Sequence, residues 1–413
     1  MKALLITIGY LPYTFSEALC NAKLVYALQQ KGWEVDVISR IDDGTTYCRE
    51  WQEPWLCLKP NVHEISYPIG NKVSRTLDLI RSTIQMEGYP LAGIRWARRA
   101  YQKAVALHKE KHYDIVLTRS PSDISHIIGF KLKKRFGVRW IANWNDPSVT
   151  IWPEPYTHHF SKSKERMLHH YTVKCLRNAD INTFPSQSLL DHFVEHFPFL
   201  KQLHTEIIPH IALSETLYTP KKREKKDKLY LCHSGNLSTE RNPELLFSAM
   251  REMIDEGCDH IQLDIMGHVN EYTQQLIDKY HLAEYVKCAG SYPYMEAIHL
   301  MQEYDALVLL EARMKHGIFF ASKFTDYAQS ERPILAVSPK KGFAYDTLSQ
   351  YGGGIAVDNE DVKDIKRGLL LLYNNWESGS IDNEFSTHRL FSQFAAHTIV
   401  DIYNQLSKQL NNL

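Results

Sequence analysis

Short apolar runs alternating with amphipathic helical segments constrain this chain more than any other feature. A first series of runs falls at 3–8, 33–38, 114–118, 139–143 and 180–184, with helical periodicity near 17–31, 90–111, 126–136 and 164–178. A second series falls at 229–232, 261–266, 286–289, 306–310, 334–337 and 354–357, again with a helical segment in each gap. Strands joined through helices lie parallel, and runs apolar on both faces predict sheets covered on both sides. The fold class read from this pattern is α/β, two doubly wound Rossmann-like domains, which suits 413 residues.

Between the series stands Pro220-Lys221-Lys222-Arg223-Glu224-Lys225-Lys226-Asp227-Lys228, without a side chain that wants burial. This predicts a first domain over 1–212, a charged linker over 213–228 and a second domain over 229–384. The stretch 385–413 reads as a helix packing back toward the first domain. Residues 41–90, rich in Trp, Tyr and Pro, yield no clear element.

Charge and cysteine usage narrow the functional classes. The 48 basic side chains are matched by 48 acidic ones, so the excess that backbone binding of nucleic acid requires is missing. The seven cysteines are scattered, without CxxC spacing, which fits reduced thiols in the cytoplasm. The apolar start stops at Gly9-Tyr10-Leu11-Pro12 and reads as a buried strand, not a signal peptide. Asp42-Asp43 is the one acidic pair considered for metal, and its irregular setting leads to the expectation that no metal is used.

Two strand-to-helix loops in the second series carry the chemistry. In Ser322-Lys323-Phe324-Thr325-Asp326-Tyr327, Ser322 reads as an N-cap that opens backbone N–H groups to an anion, with Lys323 beside them. Asp326, one turn on, can accept hydrogen bonds from ribose hydroxyls. In Ser234-Gly235-Asn236-Leu237, Gly235 lets the backbone approach a ligand, and Arg241 can hold a diphosphate with paired hydrogen bonds. Both loops leave the carboxyl ends of strands, where open α/β sheets bind ligands.

In the order and spacing of these motifs the chain resembles the GT-B glycosyltransferases, and among them the retaining enzymes of glycosyltransferase family 4. The resemblance covers nearly the whole length. In the first half it rests on Trp96, Ser120-Pro121-Ser122, His126 and Trp140-Ile141-Ala142-Asn143-Trp144-Asn145-Asp146-Pro147. In the second half it rests on Ser234-Gly235-Asn236-Leu237, Arg241-Asn242-Pro243, Ile265-Met266-Gly267, Gly290-Ser291-Tyr292 and the segment from Ser322 to Ala336. The resemblance implies two domains facing a cleft, with a nucleotide diphosphate sugar as donor and no separate cofactor. It places Gly235, Asn236, Gly267, Tyr292, Ser322 and Asp326 around the nucleotide, and Arg241 and Lys323 on the diphosphate. Asp146 either orients the acceptor hydroxyl or caps the next turn, and Ser16 and His126 fall on the acceptor side. Two departures stand out: Ile318 occupies the position of a glutamate that many members place near the sugar, and Tyr13-Thr14-Phe15-Ser16 replaces a pair of glycines.

The expected activity is transfer of a sugar to a glycan or lipid-linked acceptor in surface-polysaccharide or related assembly. The alternatives are a noncatalytic nucleotide- or glycan-binding protein and a nucleotide-sugar epimerase on the same architecture. Lys131, Lys133, Lys134 and Arg135, interleaved with Phe130 and Leu132, form either a solvated helix face or a contact with anionic lipid at the inner face of the membrane.

Overall fold

The computed structural model describes residues 1–41, 50–66 and 70–411; Asp42 and Asp43 lie outside them. The chain forms two compact units, Met1–Ser214 together with Ala396–Leu413, and Glu215–Ala395.

The first unit is built on β1 (Lys2–Ile6), β2 (Glu34–Ile41), β3 (Val62–Ser66), β4 (Ile115–Arg119), β5 (Arg139–Asn143), β6 (Ile181–Phe184) and β7 (Thr205–Ile207). They pair in the order β3-β2-β1-β4-β5-β6-β7, all parallel. Every residue of β4, and Ala3 to Ile6 of β1, is buried. This is why Ala3 to Ile6 and Ile115 to Leu117 are apolar: helices cover both faces. The strand order reverses between β1 and β4, which opens a crevice at their carboxyl ends.

The second unit carries β8 (Leu229–Ser234), β9 (Ile261–Met266), β10 (Val286–Cys288), β11 (Ala306–Leu310), β12 (Ile334–Ser338) and β13 (Gly354–Asp358). Their order is β10-β9-β8-β11-β12-β13, again all parallel, with the reversal between β8 and β11. Leu231, Leu263, Val308, Leu335 and Val357 join side chains of helices Glu244–Asp255 and Val362–Ser378 in one core. Gly368 lets the latter helix lie against the sheet, since a Cβ there would stand 2.6 Å from Val357 Cγ1.

The structure departs from the sequence reading in three places. Strands β3 and β7 are short and only partly buried, and gave no apolar signal. The run 220–228 is not a free linker, because it packs on the second unit. Arg223 is buried between Asp305 (2.6 Å) and Asp382 (2.9 Å), and Arg332 Nη2 donates to the Lys221 carbonyl at 3.0 Å. The final helix begins at Ala396, not 385, and residues 385–395 stay with the second unit. That helix joins the first unit, where Trp33 Nε1 donates to Asn404 Oδ1 at 2.9 Å.

Candidate functional site

At the carboxyl end of β8 the chain turns through Gly235, whose φ of 127° suits glycine. Its N–H donates to Met266 O at 2.7 Å, tying this turn to the end of β9. A Cβ on Gly267 would collide with the Gly235 carbonyl, and a Cβ on Gly235 would collide with Lys323 Nζ. Two loops and a lysine therefore share one small space. Asn236 Oδ1 accepts from the His268 N–H at 2.8 Å, and the Tyr327 hydroxyl accepts from the Ser234 N–H at 2.9 Å.

Lys323 opens helix Lys323–Gln329 and does not sit in open solvent. Desolvation pushes its pKa down to about 7, the nearby charge of Arg241 pushes it the same way, and Cys232 and Asp326 offset only part. Lys323 thus sits against the glycine turn and within reach of the Arg241 charge. Arg241 is exposed, and its charge is also felt by His233 and Glu311. His233 is fully buried, with Nδ1 bonded to Val308 O at 2.9 Å and Nε2 unpartnered among the described residues. Asn242 Oδ1 accepts from Glu244 N at 2.8 Å, just ahead of the helix that follows Arg241.

Two expected features of this region change. Ser322 does not cap: its backbone is already helical, with φ −56° and ψ −32°, and its side chain makes no cap hydrogen bond. The hydroxyl of Thr325 instead donates back to the Ser322 carbonyl at 2.9 Å. Tyr292 is exposed, and it is its neighbour Tyr294 that donates to Asp326 Oδ1 at 2.9 Å. Ile318 is buried, an apolar side chain where a carboxylate had been looked for. The sequence reading missed Glu311, which directly follows β11 at the reversal point. Burial pushes its pKa up to about 7, with Arg241 pulling the other way. A glutamate following a five-residue apolar strand was the available signal.

The first unit gathers a second polar cluster at the ends of β1, β4 and β5. Asn145 Nδ2 lies 2.9 Å from both carboxylate oxygens of Glu17 and 3.0 Å from Ser120 O, while Arg119 Nε stands 3.5 Å from Glu17 Oε1. Burial pushes the Glu17 pKa up to about 7; Arg119 opposes this and Asp146 adds to it. Asp123 is likewise pushed up to about 6 by burial, with Asp146 contributing, and its Oδ2 is buried without a partner among the described residues. A cavity of about 330 Å³ opens beside Asp123, walled by Trp152, Phe160 and Tyr171. Asp146 is therefore one of three neighbouring carboxyl groups, and Glu17 and Asp123 were not foreseen. Ser16 is exposed at the start of helix Ser16–Gln30.

His126 does not belong to this cluster. It is fully buried under Trp144 (ring centroids 4.1 Å apart), with Nδ1 2.8 Å from Thr118 Oγ1, and burial pushes its pKa down to about 3. The basic helix face is also committed elsewhere. Lys131 and Lys134 converge with Lys174 on Glu87, and Lys133 bonds Asp180 at 2.8 Å. The Arg135 guanidinium lies over the ring of Phe136 at 5.2 Å. Among the described residues one group, His192, Glu195 and His196, brings metal-ligand atoms within 4.8 Å of one another. Two of its ring nitrogens are occupied by the carbonyls of Ile151 and His192. No helix among the described residues is long and apolar enough to cross a membrane.

Comparison with known proteins follows this geometry. Residues 215–384 match the family described as glycosyl transferases group 1. No curated protein matches the chain by sequence. Among solved structures the chain is similar to a sucrose-phosphate synthase from Thermosynechococcus elongatus, at 15% identity and TM-score 0.68 over 100% of both chains. It is similar to HepE of Anabaena, solved with UDP and glucose, at 15% identity and TM-score 0.67 over 100% of both. It is also similar to a UDP-N-acetylglucosamine 2-epimerase, described as putative, from Listeria monocytogenes, at 11% identity and TM-score 0.58, over 100% of this chain and 97% of that one. The second unit thus resembles the group 1 glycosyl transferases in sequence, and the chain as a whole has the GT-B fold.

Proposed function

We propose that this protein transfers a glycosyl group from a nucleoside diphosphate sugar to an acceptor hydroxyl, with retention at the anomeric carbon and without a metal ion. The observation that carries the reading is Lys323, desolvated against the Gly235 turn and within reach of the Arg241 charge, at the strand-order reversal of the second unit. A desolvated cation that also feels a second positive charge is relieved by an anion, and a diphosphate can meet both. In the transfer the bond from the anomeric carbon to the β-phosphate oxygen breaks, and the diphosphate keeps the electron pair. The acceptor oxygen forms the new bond to that carbon, and its proton passes to the departing phosphate. Arg241 and Lys323 stabilise the charge that develops on the leaving group, which preorganised donors do better than water.

Gly235, Asn236 and Gly267 shape the diphosphate turn, Asp326 with Tyr294 and Tyr292 lie on the nucleoside side, and Ser322 supplies backbone beside Lys323. Asp146, with Glu17 and Asp123, belongs to acceptor binding in the first unit, with Ser16 at its margin. Retention, and a glycan or lipid-linked acceptor in surface-polysaccharide assembly, are supported by the resemblance to family 4. A nucleotide donor is supported by the fold neighbours solved with UDP and with ADP.

Thermal shift with UDP, GDP, ADP and their sugar conjugates tests the donor class, because a ligand bound only by the folded chain raises the midpoint by mass action. Arg241→Ala and Lys323→Ala are each expected to lower turnover at least about 100-fold. Near wild-type turnover in both folded variants refutes the assignment, and loss of activity with EDTA that magnesium restores refutes the metal-free reading. The fold neighbour described as an epimerase keeps one further reading in play. NMR of the sugar nucleotide after incubation separates an epimerised sugar from a transferred one.

A further inference from the structure

Helix Lys72–Gln85 is turned inside out for a surface helix. Asn71 starts it, accepting from Ser74 N at 2.9 Å. Its polar side faces the protein: Asp78 accepts from Arg95 Nε and Arg98 Nη2, both at 2.7 Å, and Ser82 Oγ accepts from Arg98 Nε at 3.0 Å. These arginines lie on helix Ile94–Lys111. The opposite side carries Val73, Leu77, Ile80 and Ile84, spaced so that they form one stripe along the helix. They are 70%, 63%, 52% and 73% exposed. Of the nine large apolar side chains exposed among the described residues, five lie on this helix, counting Leu79, and the other four are scattered. Single exposed apolar residues are ordinary, but a stripe of them marks an interaction surface.

Charge indicates what covers the stripe. Lys72 and Arg81 are exposed at the flanks of the stripe, while the helix's one acid, Asp78, is turned inward to the arginines. The outward surface is therefore apolar and basic at once. An anionic bilayer satisfies both properties, because acyl chains take the stripe and headgroups take the cations. A second copy docking through the same stripe would set this basic patch against the basic patch of its copy, since a two-fold interface matches a patch with itself.

We propose that helix Lys72–Gln85 lies flat on an anionic lipid surface, with Val73, Leu77, Ile80 and Ile84 entering the acyl boundary and Lys72 and Arg81 meeting headgroups. This surface takes the place of the Lys131 to Arg135 face, whose lysines are tied to Glu87 and Asp180. The proposal is independent of the donor-site reading.

Flotation of the full-length protein with phosphatidylcholine vesicles, with and without about one third phosphatidylglycerol, tests it. Binding is expected to the anionic vesicles, weaker at high salt. The triple variant Leu77→Gln, Ile80→Gln, Ile84→Gln is expected to lose at least about tenfold in bound fraction with an unchanged melting midpoint, since these side chains are already in water. The double variant Lys72→Glu, Arg81→Glu is expected to lose the preference for anionic vesicles. A wild-type chain that stays off anionic vesicles, or a triple variant that binds as well as wild type, overturns the proposal. So does a wild-type dimer that the triple variant converts to monomer, which would assign the stripe to a second copy.

Discussion

Lys323 ties nucleotide affinity to pH in a way that can be worked out in advance. In the empty site its pKa is pushed down to about 7 by desolvation and then by Arg241. A diphosphate that accepts from its ammonium lifts the pKa back toward the ordinary lysine range, so binding takes up a proton. Above pH 7 the empty site loses the proton that the complex needs, and affinity falls. From pH 7, where about half of the lysines are charged, to pH 9, where about one in a hundred is, the dissociation constant should rise about 50-fold. Glu311, pushed up to about 7, ionises over the same range and adds repulsion of the same sign. Substitution separates the two: Lys323→Met removes the lysine's contribution and Glu311→Gln the carboxylate's. Isothermal titration with the nucleotide selected by thermal shift, at pH 7, 8 and 9 in two buffers of different ionisation enthalpy, gives both affinity and proton count. Uptake of about half a proton per nucleotide is expected at pH 7 in wild type, after subtracting that of Lys323→Met. If Lys323→Met keeps the wild-type pH slope, or no proton is taken up, Lys323 does not hold the phosphate.

Other outcomes follow from the same groups and from the core. Without ligand, Lys323→Met should melt higher than wild type at pH 6, because it removes a desolvated cation within reach of the Arg241 charge; a lower midpoint in scanning calorimetry contradicts that desolvation. Burial pushes the Asp36 pKa up, but hydrogen bonds from His63, Lys111 and Tyr113 outweigh this and hold it below the usual carboxylate range. Its stabilisation is therefore present above the ordinary Asp pKa and lost as pH falls through the folded value. Asp36→Asn should cost about 2–4 kcal/mol at pH 7 and flatten the acid limb of the stability curve, measured by urea unfolding from pH 7 to 3. Gly368→Ala places a methyl group against Val357 and Leu335 and should cost about 1–3 kcal/mol in the same assay without changing nucleotide affinity.

What the sequence revealed and what it hid divide along the reach of the interactions involved. The buried central strands are written in consecutive residues, as in Ala306 to Leu310 or Ile334 to Val337, so their existence and parallel pairing were legible. Gly235 and Arg241 could be singled out because each stands in a loop between a recognisable strand and helix, and Lys323 because it opens a recognisable helix. Glu17 could not, since its partner Asn145 lies 128 positions away and only the sheet brings them together. His126 shows the converse error. Its sequence neighbourhood suggested a ligand-facing residue, but the helix turns it toward Thr118 and Trp144, a direction no local pattern encodes. Helix Lys72–Gln85 escaped notice because its polar side holds the protein and its apolar side does not, which inverts the usual meaning of an amphipathic pattern.

The division of the chain into Met1–Ser214 with Ala396–Leu413, and Glu215–Ala395 between them, sets an order of assembly on the ribosome. The second unit is one uninterrupted stretch, complete once residue 395 has emerged. The first begins synthesis earlier but finishes later, because Trp33 must wait for Asn404. Deleting the tail would leave the later-encoded unit whole and the earlier-encoded one open along helix Ser16–Gln30, where the tail helix packs. A continuous fragment spanning 215–395 is accordingly the natural piece to isolate for nucleotide binding.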